Sequence, residues 1–136
     1  MYHIELELVK ASKREYDEEL LMPAEETEIS RLSEDFSKVC GLEIPQAYLD
    51  LLRYCNGLEF NGCIVYGSEN MIENQMDYEY ISEDYVIFGE YDIGWFCMEK
   101  AGGKFCELDK PSAQEVQTFD TFEEMIKRVL SLSLEL

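Results

Sequence analysis

The pair Asn61-Gly62 lies between two short apolar runs, residues 58–60 and 63–66, and this pattern constrains the fold more than any other stretch of the chain. A two-residue type I′ turn needs positive φ at both central positions, which Asn followed by Gly accepts, so the segment predicts a tight antiparallel hairpin. Just upstream, Pro45 suits the first position of a helix, Tyr48, Leu49, Leu51, Leu52 and Cys55 follow, and Gly57 ends it. A short helix that runs directly into a hairpin is therefore expected.

The remaining elements follow from periodicity. Residues 2–9 alternate Ile4, Leu6 and Leu8 with Glu5 and Glu7, the period-2 pattern of a half-buried strand, with a helix as the alternative. Between 24 and 40, Ile29, Leu32, Phe36, Val39 and Cys40 fall at helical spacing behind the acidic first turn Glu25, Glu26 and Glu28, and Gly41 stops the run. Residues 68–80 are polar and acidic and read as a loop with a short helix containing Met71, Ile72 and Met76. Strands are expected at 85–88, 95–99, 104–108 and 116–119, with Ala101-Gly102-Gly103 marking a second hairpin. A closing helix over 121–134 carries Phe122, Met125, Ile126, Val129 and Leu130, with Thr121 and Glu124 spaced as a capping box. Hairpins between helices predict one α+β domain over residues 1–136: a mainly antiparallel sheet of about five strands, flanked by helices.

Charge narrows the partners. The net charge is −19, and residues 54–99 hold ten carboxylates without one Lys or Arg. A potential of that sign repels nucleic acid and anionic membranes and attracts a basic protein, so a basic protein is the expected partner, bound by a monomer or weak dimer. Glu5 and Glu7 interrupt any apolar leader, and no uncharged apolar run approaches the roughly 20 residues of a spanning helix. Five cysteines, Cys40, Cys55, Cys63, Cys97 and Cys106, include no CxxC pair and read as free thiols in a reducing cytoplasm.

Catalytic chemistry finds few tools. His3 is the sole histidine, which leaves a serine or cysteine nucleophile without its usual base. Cys55 and Cys63 flank the hairpin, and unpaired cysteine behaves as a small hydrophobe, so they read as core. Gly89 and Gly94 fit neither phosphate-binding glycine spacing and read as turns. The acids around Asp77-Tyr78-Glu79 and Glu83-Asp84 lack calcium-loop spacing, although a carboxylate pair for hydrolysis stays open. No metal, no cofactor and no enzyme activity are expected.

What remains distinctive is the middle third, where the carboxylates are interleaved with ten aromatic residues. Tyrosine beside carboxylate suits an interface, and equally suits core rings under a solvated face; the residues alone do not separate the two. The candidate partner-binding set is Glu69, Glu73, Asp77, Glu79, Glu83, Asp84, Glu90 and Asp92, with Tyr78, Tyr80 and Tyr91 as aromatic anchors. Trp95 and the Asn61-Gly62 turn read as structural.

Residues 42–57, with Pro45, Tyr48, Leu49, Leu52 and Asn56-Gly57, resemble the proline, tyrosine, leucine, Asn-Gly helix of the SUKH superfamily. The segments Gly62-Cys63-Ile64-Val65-Tyr66-Gly67, Val86-Ile87-Phe88-Gly89, Gly94-Trp95-Phe96, Phe105-Cys106-Glu107-Leu108-Asp109 and Thr121-Phe122-Glu123-Glu124-Met125-Ile126 agree in order, so the resemblance spans about 24–130. It implies kinship with bacterial immunity proteins, which sit beside polymorphic or contact-dependent toxins, often nucleases, and neutralise them by binding. It also implies kinship with a fungal regulator of cell-wall assembly, so the alternative is a regulatory scaffold with no toxin partner. The resemblance supplies no catalytic residues.

Overall fold

The computed structural model describes residues 2–135. Helices α1 (His3–Glu15), α2 (Glu26–Cys40) and α3 (Gln46–Tyr54) come first, then β1 (Leu58–Phe60) and β2 (Cys63–Val65). Two short helices, α4 (Met71–Asp77) and α5 (Glu79–Ser82), interrupt the strands. Strands β3 (Tyr85–Tyr91), β4 (Gly94–Glu99), β5 (Phe105–Asp109) and β6 (Glu115–Phe119) follow, and α6 (Phe122–Glu135) closes the chain. All six strands pair with their sequence neighbours in one antiparallel meander, which confirms the α+β class.

The local signals that governed this outcome are visible in the backbone. Asn61 and Gly62 take φ of 49° and 82°, as the I′ turn requires, and the Asn61 amide also donates to the Ser133 carbonyl at 2.7 Å. Gly41 caps α2 in the left-handed conformation. Pro45 lies one residue before α3, and the Glu124 amide donates to Thr121 Oγ1 at 3.2 Å at the start of α6.

The N-terminal stretch corrects the strand expectation: residues 3–15 are a helix. Its buried positions are Leu6, Val9 and Lys13, at spacings of three and four, and it packs on α6. Ile4 and Leu8, two of the three residues that carried the period-2 pattern, are 75% and 52% exposed. Their alternation was a coincidence of composition on an outer helix face.

Along β4, Phe96 and Met98 point to one face of the sheet and Trp95 and Cys97 to the other. On the first face, Tyr48 of α3 and Phe122 of α6 meet Phe88 edge-on at 5.1 and 5.5 Å, and Phe105 joins them. On the second, Tyr78 and Tyr80 stand edge-on over Trp95 at 5.5 and 6.0 Å. Helices α4 and α5 are thereby tied to the middle of the sheet.

Candidate functional site

The bare edge of β3 explains how α4 is held. Strand β2 pairs with β3 through Ile64 and Val65, and the Tyr66 amide that follows reaches only the Phe88 carbonyl, so the β3 backbone at Ile87 lies beyond this ladder. Buried backbone groups need partners. Gln75 supplies both, donating from Nε2 to the Ile87 carbonyl at 2.6 Å and accepting the Ile87 amide on Oε1 at 2.8 Å, with only 2% of the residue exposed. One glutamine side chain thus extends the sheet by a rung and fixes the inward side of α4.

With Gln75, Met71 and Ile81 turned in, and Ile72 and Tyr78 half-buried against the core, the carboxylates of this segment face out. Glu69, Glu73, Asp77, Glu79, Glu83 and Asp84 are exposed, as is Asp92 in the β3–β4 turn. Among the described residues, none of these seven carboxylates forms an ion pair. Two large apolar groups stand among them, Met76 at 56% and Tyr80 at 63% exposure. A shallow groove next to Met76 is lined by Val39, Glu79 and the cation Lys100.

Glu90, Tyr91 and Tyr78 have another fate. Glu90 is half-buried and accepts hydrogen bonds from Tyr66, from Tyr78 at 3.0 Å and from Lys110 Nζ at 2.8 Å. Burial alone raises its pKa, but the Lys110 and Tyr66 hydrogen bonds, the Lys110 charge and the Tyr78 hydrogen bond outweigh it and hold the carboxyl below its ordinary value. Lys110 also sits 5.2 Å above the Trp95 ring, whose residue is 2% exposed, so the tryptophan is a core ring as expected. Tyr91 is buried, stacks on Phe96 and donates to Glu107 at 2.8 Å. Burial, then that hydrogen bond, push its hydroxyl up to about 12.

Glu107 itself is 3% exposed and also accepts from Gln117 at 2.9 Å and from Arg128 at 3.4 Å. None of Tyr66, Gln75, Glu107 and Lys110 stands out in the sequence, because each gains its role from a strand or helix distant in the chain. A lone buried glutamine in an acidic stretch carries no signal until Ile87 is placed beside it.

The Asn56-Gly57 motif serves the fold. The Asn56 side chain accepts the Ser68 amide at 2.8 Å and donates to the Ser68 hydroxyl at 2.8 Å, stitching the end of α3 to the loop after β2. Gly67 passes so close that a Cβ there would lie 2.4 Å from the Asn56 carbonyl oxygen. The cysteines are all buried, and burial pushes Cys55 and Cys63 to about 11 and Cys106 to about 12, so these thiols stay protonated at neutral pH.

A second surface lies at the free edge of β1. Two grooves of about 740 and 510 Å³ meet there, sharing Leu21, Leu58 and Glu59. Among the described residues, no helix is long and apolar enough to cross a membrane. Residues 23–128 match the family model described as SMI1 / KNR4 family (SUKH-1). No curated protein matches the chain. The family match covers well over half of the chain, from the segment before α2 to the middle of α6, and the helix, hairpin and meander it spans are the ones described above: the chain belongs to the SMI1 / KNR4 family (SUKH-1).

Proposed function

We propose that this protein is an immunity protein that binds and neutralises a cognate toxin, a nuclease with a basic surface, through the outward face of α4 and α5. The observation that carries this reading is the exposed carboxylate set Glu69, Glu73, Asp77, Glu79, Glu83 and Asp84 around Met76 and Tyr80, free of ion pairs among the described residues. Apolar anchors ringed by charge are the anatomy of a protein interface. The sign of the charge suits a nuclease, whose substrate-facing surface must attract phosphate. Membership of the SMI1 / KNR4 family (SUKH-1) supports this reading, because the bacterial proteins that the chain resembles act in immunity.

The test is co-expression with the toxin encoded by the neighbouring gene. Viability should be restored, the two proteins should co-purify, and the association rate should fall at least about tenfold between low and high salt, since steering is screened within a Debye length. Co-purification with an association rate indifferent to salt would rule out the acidic face. A toxin that still kills its host in the presence of this chain would rule out neutralisation.

A further inference from the structure

We infer that the groove along the free edge of β1 receives an extended, lysine- or arginine-bearing segment of the partner protein as an added strand. This rests on the reading of the chain as a binder of basic proteins and names where and how part of the partner docks. The direction of the backbone comes first. Tyr66 donates its amide to the Phe88 carbonyl, so in β2 the even positions face β3 and the odd positions, Cys63 and Val65, face β1. Phe60 and Leu58 are their partners, and Glu59, opposite Ile64, turns its N–H and C=O away from the sheet. That free pair lies between the two grooves that meet at Leu21, Leu58 and Glu59.

The chemistry of the walls selects the occupant. Glu25, Glu28, Glu59 and Glu69 line the 510 Å³ half with no Lys or Arg among its residues. In the other half the one cation, Lys13, is engaged by Glu18 at 3.7 Å. A second copy of this chain is the wrong occupant: antiparallel self-pairing about Glu59 sets Glu59 against Glu59, and like charges directly opposite are destabilising. A cationic strand gains instead, with backbone hydrogen bonds to Glu59 and alternate basic side chains over the glutamates. Glu69 lines the groove and lies just before α4, so a partner seated on the α4–α5 face has this slot beside it.

The experiment is an NMR titration of the full chain with a synthetic ten-residue peptide of alternating Lys and Val, against its Glu-Val counterpart. The Lys-Val peptide should shift the amides of residues 57–60, Met22 and Glu69 and slow exchange of the Glu59 N–H. Glu59→Pro deletes that outward N–H and leaves both neighbouring ladder pairs in place, because proline is tolerated where an edge N–H faces away from the sheet. It should weaken binding roughly tenfold. Leu21→Trp leaves β1 untouched, fills the groove from an exposed position and should do the same, which keeps the test alive if the proline variant misfolds. Equal affinity in the variants, or equal binding of the Glu-Val peptide, overturns the inference. Shifts confined to residues 73–84, or no shifts, also overturn it and leave the acidic-face reading standing.

Discussion

The α4–α5 segment and the β3–β4 hairpin draw on one composition, carboxylates beside tyrosines, and use it in opposite ways. In the first, Asp77, Glu79, Glu83 and Asp84 stand in solvent and form no ion pair among the described residues. In the second, Glu90 is locked among Tyr66, Tyr78 and Lys110, and Tyr91 is committed to Glu107. Residues 54–99 contain no cation, so the difference is made by the last third of the chain, which delivers Lys110 and Arg128 to the sheet and neither to the helices. An acidic tyrosine-rich stretch is thus neither surface nor core by composition. A cation arriving from elsewhere decides.

The strongest test of that contrast lies on α4 itself. Gln75→Ala would leave the Ile87 N–H and C=O buried without partners, at about 1–3 kcal/mol per orphaned group. A loss near 3 kcal/mol in denaturant unfolding is expected, with α4 loosening first by hydrogen exchange. A loss below about 0.5 kcal/mol would show that the acidic face is not held by this rung. Next comes Glu107→Ala, expected to cost about 2 kcal/mol, since Tyr91 loses a charged acceptor in the interior while Arg128, about a third exposed, can turn to water. Unchanged stability there would dissolve the distinction between the two halves.

The Glu90 site adds a pH signature. A carboxyl held below its ordinary value in the folded state stabilises the protein above the unfolded value, and the contribution is lost as pH falls through the depressed one. Glu90→Gln should therefore cost on the order of 1 kcal/mol at pH 7, a difference from the parent that shrinks in acid. Lys110→Met, which keeps packing over Trp95, should remove most of that pH dependence. A parent-to-variant difference constant from pH 7 to acid would show that Glu90 is not held by its partners.

Local features were legible in the sequence and distant ones were not. The Asn61-Gly62 hairpin, Gly41 and the face of α6 depend on neighbours within a few residues, and the structure agrees with each, whereas α3 ends at Tyr54 with Cys55 already extended, two residues short of the expected stop at Gly57. The first helix was misread because Ile4, Leu6 and Leu8 mimic a strand until α6 shows which of them is buried. Glu90 and Tyr91 look identical in sequence to Glu79 and Tyr80. Only strand register, which brings Glu107 across from Phe96 and places Lys110 near Trp95, separates the committed pair from the free one.

The smallest expected effect is also the one whose sign matters most. Asp77 is the last residue of α4, where a negative charge opposes the helix dipole, and it stands four residues after Glu73, a like charge on the same face. Asp77→Asn should therefore stabilise the fold by about 0.2–0.5 kcal/mol at low salt, and the gain should vanish at high salt. The same substitution should slow association with the proposed basic partner. A residue that stabilises the free protein when removed and yet weakens binding is maintained for the partner, whereas every polar deletion at the Glu90 and Glu107 sites costs stability. If Asp77→Asn instead destabilises the fold at all salt concentrations, its carboxylate belongs with the committed half and the free face excludes it.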